Sequence, residues 1–161
     1  MSVELVKNPL KVCRIIGEEI SGAVVEEDIN VPDVNPDVYK ILHPSARVVI
    51  KGSETTNDKI IVDGQVLIDI LYVADAEGRP LNSLNISADF THAIDMVGVK
   101  PRMKEQIKAV IQHIDCQIIN SRKISVKVIM DIACIVEDIY EIEIPLDIRG
   151  SDYIQVLREP L

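Results

Sequence analysis

The sequence predicts a mainly β protein, an antiparallel, β-sandwich-like domain with one short helix. Apolar residues occupy alternate positions in two long stretches, 59–73 and 124–136, with mostly polar residues between them. In the first stretch they are Ile60, Val62, Val66, Ile68, Ile70 and Tyr72, and in the second Ile124, Val126, Val128, Met130, Ile132, Cys134 and Val136. This period of two is typical of strands with one buried face. Ile (26) and Val (20) make up 46 of the 161 residues, a β-branched content that favours strands over a helical bundle.

The first elements follow from short apolar runs and their breaks. Residues 3–29 predict two strands with a turn near 17–22, because acidic residues and glycines interrupt the apolar runs. The one short helix is predicted at 36–43, since the residues around this segment are favourable for a helix cap, a first turn and a stop. Those residues are Asn35, Pro36, Asp37 and Pro44.

The middle of the chain reads as strands joined by polar turns. A hairpin is predicted over 47–51 and 60–73, because the polar stretch 53–58 between them is rich in turn-forming residues. After a polar loop at 74–80, a further strand is predicted over 84–95, and a turn rich in glycine and proline follows it.

Residues 103–119 are ambiguous between a strand and a helix, because several of their apolar residues also lie at helical spacing. The β-branched content and the turn at 120–122 favour a strand that pairs with the next one. In the tail, charge alternates with isoleucine and leucine, and 153–157 predicts one more short strand. We therefore expect a single domain over 1–161.

Within that domain we expect a core of about 18–137, flanked by strand-like arms at 2–20 and 140–161. The arms matter for function, because strands at chain ends can pair with a neighbouring molecule.

Composition disfavours several function classes. The formal net charge of −9 and the low isoelectric point of about 4.8 disfavour binding to a phosphate backbone, so we expect no nucleic-acid partner. Aromatic residues make up only 3%, which disfavours a stacking platform for sugars. Charges interrupt the N-terminal region, and no apolar run is long enough for a membrane span. We expect cytosolic synthesis without a signal peptide and no membrane insertion.

No pattern in the chain predicts a catalytic, metal or cofactor site. The three histidines, His43, His92 and His113, have no metal-ligand spacing with one another or with a cysteine. The glycines are isolated, so no phosphate-binding loop is predicted. The acidic residues of the first loops are expected to be solvated. They are Glu18, Glu19, Glu26, Glu27, Asp28, Asp33 and Asp37.

Three cysteines allow two interpretations. Cys116 and Cys134 fall on strand faces that point inward, and Cys13 lies in a short apolar run, so all three are expected to be buried, reduced thiols. The alternative is that one of them crosslinks subunits in an oxidising shell.

A series of segments resembles a known family. They are VPDVNPDVYKIL at 31–42, VDGQVLIDILYV at 62–73, a loop containing Gly78 to Pro80, FTHAIDM at 90–96 and IINSRKISVKVIMDI at 118–132. In this order they resemble the SPOCS domain of clostridial sporulation proteins, over about 18–137. The resemblance implies a β-rich domain that takes part in assembling the spore envelope, and it brings no catalytic residues.

The family is known chiefly from a coat morphogenetic protein in which such regions precede a LysM domain. We expect a single-domain member here, since no LysM segment follows Leu161 in the sequence. The role of recruiting the coat-anchoring ATPase is therefore not carried over directly.

The leading functional hypothesis is a non-enzymatic, self-assembling subunit of a spore coat layer, shell or filament, which has itself and other spore coat proteins as partners. The expected oligomer contacts lie in the arms: Val12, Ile16, Tyr153, Ile154, Val156 and Leu157. One alternative is a monomeric or dimeric adaptor in coat morphogenesis. A second is a carbohydrate-binding module for wall glycan, and an enzyme is disfavoured.

Overall fold

Six β-strands make up the chain in a computed structural model, which describes the backbone of residues 4–149 and the side chains of residues 6–145. The strands are β1 (Glu4–Asn30), β2 (Val38–Thr56), β3 (Lys59–Ala74), β4 (Leu81–Asp95), β5 (Lys104–Asn120) and β6 (Lys123–Arg149). They form two three-stranded sheets, with strand orders β1-β6-β5 and β2-β3-β4. The β2–β3, β3–β4 and β5–β6 pairs are antiparallel. The predicted antiparallel, sandwich-like β fold is confirmed.

The chain separates into two compact units. Residues 15–137 form the larger one, which we call the sandwich. Residues 1–14 and 138–161 form the smaller one, which we call the ribbon unit. Its described part consists of the first segment of β1 and the last segment of β6, which are neighbours in their sheet. The single domain predicted over 1–161 stays a prediction.

The core of the sandwich lies on the central strands, β3 and β6. Their inward side chains are completely or almost completely buried, because each of these strands has a neighbour on both sides and the other sheet above its face. These side chains are Ile60, Val62, Val66, Ile68, Ile70, Tyr72 and Ala74 on β3 and Ile124, Val126, Val128, Met130, Ile132, Cys134 and Val136 on β6. Within the described residues no polar or charged residue is buried, so hydrophobic burial stabilises this core.

The helix predicted for 36–43 is wrong, and residues 4–149 contain no helix. The chain turns at 33–35 and enters β2 at Val38. Two backbone carbonyls just before β2 have partners in the sandwich: the Tyr72 hydroxyl donates to Pro36 at 3.0 Å, and the Asp75 amide donates to Asp37 at 2.8 Å. These contacts hold the segment in an extended conformation that a helix would break.

The helix was predicted from cap and stop residues, but β-bulges also give this segment a helix-like spacing. The β2–β3 register shifts between Val38 and Lys40 and again between Ile41 and His43. An extra residue at each shift places the inward residues Val38, Ile41 and Pro44 three apart, which imitates helical spacing. Pro44 is tolerated because β2 is an edge strand of its sheet.

The predicted turn near 17–22 is also wrong, since β1 is one continuous strand from Glu4 to Asn30. Glycine at 17 accommodates a close contact: a Cβ there would lie 2.7 Å from the sulfur of Met96, so the Met96 side chain would have to shift. Glycine therefore marks a place where a side chain from a loop packs directly on the strand.

Residues 103–119 form a strand, β5, so the strand interpretation is confirmed. A register shift between Ile111 and His113 explains the ambiguity, because the inward positions step by two up to Ile111 and then by three to Ile114. The predicted hairpin is also confirmed, with β2 and β3 paired down to Thr56 and Lys59. The strand predicted at 153–157 lies outside the described residues.

Candidate interaction surfaces

One arginine organises the loop between β1 and β2. Arg122 lies in the β5–β6 turn, and its guanidinium donates hydrogen bonds to the backbone carbonyls of Val31 (2.9 Å), Pro32 (2.8 Å) and Asn35 (2.7 Å). It also donates to the Asp37 carboxylate at 3.1 Å. The planar, fork-shaped guanidinium can serve several acceptors at once, which an ammonium group cannot do in the same way.

The backbone ties the same loop to the same turn. The Val31 amide donates to the Arg122 carbonyl at 2.8 Å, and the Val38 amide donates to the Ser121 carbonyl at 2.9 Å. The turn itself is closed by the Asn120 side chain, which accepts from the Arg122 amide at 2.8 Å. The proline-rich segment at 31–37 is therefore a clamped loop.

Sequence reasoning missed this role of Arg122. It expected Asp33 and Asp37 to be solvated, and both are exposed, but Asp37 also binds the guanidinium and Asp33 lies 3.9 Å from it. A signal was present: Pro32 and Pro36 have no amide hydrogen, so the loop offers more acceptors than donors and needs a donor from elsewhere.

The clamped loop exposes an apolar tip, and the sheet β2-β3-β4 exposes an apolar patch. Val34 is 93% exposed. The patch lies where β2 begins, β3 ends and β4 begins, and we call it the sheet-end patch. Its exposed members are Tyr39, Leu42, Leu71 and Leu81. The Arg79 guanidinium stacks 3.6 Å from the centre of the Tyr39 ring, a cation–π contact that orders this edge of the patch.

The outer face of the sheet β2-β3-β4 carries a shallow, open groove of about 390 Å³. It is lined by Arg47, Leu67, Asp69, Asn85, Ile86 and Ser87. No aromatic side chain lines it, so it lacks the flat apolar surface on which a sugar ring stacks.

The ribbon unit is amphipathic. Arg14 contacts both Asp138 (3.5 Å) and the Tyr140 ring (5.8 Å to its centre), which places these even-numbered residues on one face. Lys7 pairs with Glu143 at 3.4 Å on the opposite face. Most of the apolar residues lie on the even-numbered face, while Ile139 lies on the other face and is 45% exposed. We call the even-numbered face the ribbon face and define it by five apolar residues: Leu10, Val12, Tyr140, Ile142 and Ile144.

The ribbon face is largely uncovered. Every described side chain of the ribbon unit, in 6–14 and 138–145, is exposed or half-buried. Tyr140, Ile142 and Ile144 keep about 40% of their surface exposed. A two-stranded ribbon has little stability of its own in water, and an exposed apolar face of this kind is available for packing.

The predicted oligomer contacts fall in three places. Val12 lies on the ribbon face and is half-buried. Ile16 belongs to the sandwich and packs against its core, near the loop glycine Gly98, where an added Cβ would lie 3.5 Å from an Ile16 methyl group. The remaining four lie outside the described residues: Tyr153, Ile154, Val156 and Leu157. All six stay a prediction.

The cysteines differ in their surroundings. Cys134 is fully buried, Cys116 is inward-facing but half-buried, and Cys13 is exposed, so the expectation that Cys13 is buried is wrong. Burial raises the pKa of the Cys116 thiol to about 11, and the neighbouring carboxylate of Asp115 adds to the rise. Burial also raises the pKa of Cys134, with a smaller contribution from Glu105.

Histidine and carboxylate groups form no recognisable site in the described part of the chain. His92 makes a 2.7 Å hydrogen bond with the Ser21 hydroxyl between β4 and β1. Among residues 4–149 there is no group of three or more potential metal ligands. Over the same residues, no helix has the length and apolar character needed to cross a membrane.

A family comparison decides the relationship of this chain. The model described as SipL, SPOCS domain, matches residues 37–119, just over half of the 161 residues. The chain belongs to the SPOCS domain family. The match spans β2, β3, β4 and nearly all of β5, and it therefore includes the sheet-end patch. Comparison with curated proteins and with solved structures gives no match.

Membership confirms the resemblance found in the sequence. The SPOCS domain is a non-catalytic domain family, and it indicates a sporulation-related role in protein interaction. Among the described residues, two exposed apolar surfaces available for such a role are the ribbon face and the sheet-end patch.

Proposed function

We propose that this chain is a non-enzymatic structural protein of the spore coat or envelope that assembles with copies of itself through its terminal strands. The observation that supports the proposal is the ribbon unit, whose described side chains are all at least partly exposed although five of them form an apolar face. Ordered strands at chain ends need a docking surface, and in a symmetric assembly the next subunit provides it.

Light scattering coupled to size-exclusion chromatography tests self-assembly directly. The purified chain is measured from sub-micromolar to tens of micromolar concentration, under reducing and oxidising conditions, and electron microscopy then examines any large species. We expect a mass that rises with concentration under reducing conditions. A chain that stays monomeric at every concentration, with or without reductant, would contradict the proposal.

A second candidate function is an adaptor that binds another spore coat protein through the sandwich. The observation that favours it is the sheet-end patch, because this surface is apolar and exposed and lies within the matched segment. The double variant Tyr39→Ser, Leu81→Ser distinguishes the two functions. Loss of self-assembly in this variant would assign assembly to the sandwich, whereas retained assembly leaves the patch available for a different partner.

A further inference from the structure

We infer that the ribbon face packs against the ribbon face of a second copy, face to face, and that the strand edges of the ribbon do not pair between copies. This inference rests on the proposed self-assembly and names the surface that carries it. Three features of the ribbon unit support it: the distribution of its apolar residues, the positions of its prolines and the balance of its charges.

The apolar residues favour packing through a face. Leu10, Val12, Tyr140, Ile142 and Ile144 share the even-numbered face, whereas the odd-numbered face carries one exposed apolar residue, Ile139, together with Lys7, Lys11, Glu141 and Glu143. Two sheets that pack face to face bury one face each and leave the other in water. Pairing through edges would leave the apolar residues of the ribbon face exposed.

The prolines disfavour pairing through the edges. Each strand of the ribbon carries one, Pro9 on β1 and Pro145 on β6. β5 pairs with β6 only up to Glu137, so β6 beyond that residue has no partner from β5. Proline cannot donate to a ladder and is a common device that protects such an edge from pairing with another chain.

The charges identify a second copy as the occupant. The whole chain has a formal net charge of −9, which opposes the approach of two copies. The described ribbon residues carry three positive and three negative side chains and hence no net charge. They are Lys7, Lys11, Arg14, Asp138, Glu141 and Glu143.

The two charge signs are also separated between strands, since the positive residues lie on β1 and the negative ones on β6. In a pair with two-fold symmetry about an axis parallel to the strands, β1 of one copy lies over β6 of the other. Four of the six charges lie on the odd-numbered face and point away from such a pair. The two on the ribbon face are Arg14 on β1 and Asp138 on β6, so Arg14 of each copy faces Asp138 of the other.

A matched pair of variants on adjacent residues tests the inference in the full chain. Ile142→Gln changes the ribbon face, and Glu141→Gln changes the opposite face of the same strand. We expect Ile142→Gln to weaken association on the order of a hundredfold, because a symmetric interface loses the same buried apolar surface twice. Glu141→Gln should change association by less than about threefold. Sedimentation equilibrium over a dilution series measures both.

Two further measurements keep the test decisive. Circular dichroism checks that each variant is folded, and Ile144→Gln replaces Ile142→Gln if that variant does not fold. The double variant Pro9→Val, Pro145→Val gives each of these two positions an amide hydrogen. Unchanged association supports packing through the face, whereas association that is tighter by more than about tenfold indicates edge pairing and overturns the inference.

The outcomes separate the two proposals. A wild-type chain that stays monomeric overturns self-assembly itself. If the wild-type chain associates and the Ile142→Gln and Glu141→Gln variants associate with equal strength, only the role of the ribbon face is overturned.

Discussion

Strand β6 carries an isoleucine in each of the two units, and their surroundings differ. Ile132 lies in the sandwich and is 0% exposed, while Ile142 lies in the ribbon unit and keeps 40% of its surface exposed. Both residues occupy apolar positions of the same alternating pattern along one strand. Alternation therefore predicts that a strand has an apolar face, but it does not predict whether the same chain covers that face.

This difference in exposure also distinguishes the apolar residues that stabilise the fold from those that remain available for binding. In the sandwich, two sheets cover each other, and the inward residues gain the free energy of leaving water. In the ribbon unit the described apolar residues have gained only part of that free energy. The remainder is available on association with another molecule.

The largest expected effect comes from shortening the two isoleucines. Ile132→Ala should lower the free energy of unfolding by about 2–5 kcal/mol, because it removes buried methyl groups and leaves a cavity. Ile142→Ala should lower it by less than about 1 kcal/mol in dilute, monomeric protein. Urea unfolding followed by circular dichroism compares them. Equal losses would mean that the ribbon face is covered within one chain, contrary to the comparison.

A smaller loss is expected when the clamp on the 31–37 loop is removed. Arg122→Gln should lower the free energy of unfolding by about 2–3 kcal/mol, because the acceptors of the loop lose a charged donor while water replaces it in part. Hydrogen exchange should also quicken at the amides of Val38 and Asp75, which the clamped loop holds.

The control for the clamp is Arg47→Gln on the outer face of β2, where the described structure shows no hydrogen bond or ion pair to the guanidinium. Its stability should stay within about 0.5 kcal/mol of wild type. If the two glutamine variants unfold at the same urea concentration, the hydrogen bonds of Arg122 do not stabilise the sandwich.

Next in size is the effect of a methyl group at Gly64. This glycine is an inward position of β3 opposite Phe90, and an added Cβ would lie 2.5 Å from the Phe90 ring and 2.9 Å from the carbonyl oxygen of Val49. Gly64→Ala should therefore cost about 1–3 kcal/mol, measured by the same unfolding experiment.

Gly52 provides the matched control, because nothing lies within 4 Å of a Cβ built there. Gly52→Ala should be neutral within about 0.5 kcal/mol. Combining Gly64→Ala with Phe90→Ala should cost less than the sum of the two changes, since the smaller side chain removes part of the clash. Simple additivity would show that the ring and the glycine are not coupled.

The sequence predicted most of the strands, and its errors have particular causes. Strict alternation from 59 to 73 and from 124 to 136 identified β3 and β6, since central strands have no bulge to disturb the period. Edge strands β2 and β5 contain bulges, so their inward residues step by three at Ile41 and Ile114. The step in β5 made that strand ambiguous. The wrong helix came from the cap and stop residues Asn35, Pro36, Asp37 and Pro44, which here belong to a loop and an edge strand.

The candidate surfaces were predicted only in part. The terminal strands were expected to mediate assembly, and within the described residues Val12 lies on the ribbon face. The contribution of Tyr140, Ile142 and Ile144 was not predicted, because the alternation of 140–144 does not reveal which side is uncovered. The sheet-end patch was missed because its residues lie on three different strands. They come together only through the register in which these strands pair, and no local sequence pattern encodes that register.

The smallest effect on stability should appear only at alkaline pH, through the thiols of the sandwich. Burial raises the pKa of Cys116 to about 11 and also raises that of Cys134. Between the ordinary thiol pKa of about 9 and the raised value, the unfolded chain loses a proton that the folded chain keeps. The free energy of unfolding should therefore fall as pH rises through this window, and Cys116→Ala should reduce that fall.

Thiol labelling measures the same property at each cysteine and extends the comparison of the two units. The thiolate is the reactive form, so at pH 8 a raised pKa of about 11 slows Cys116 by about a hundredfold relative to an ordinary thiol. Cys13, exposed in the ribbon unit, should react first, and the fully buried Cys134 last. Mass spectrometry of peptides after timed iodoacetamide treatment gives the three rates. Labelling of Cys134 as fast as that of Cys13 would show that the sandwich opens readily, and it would remove the distinction between a covered core and an uncovered ribbon.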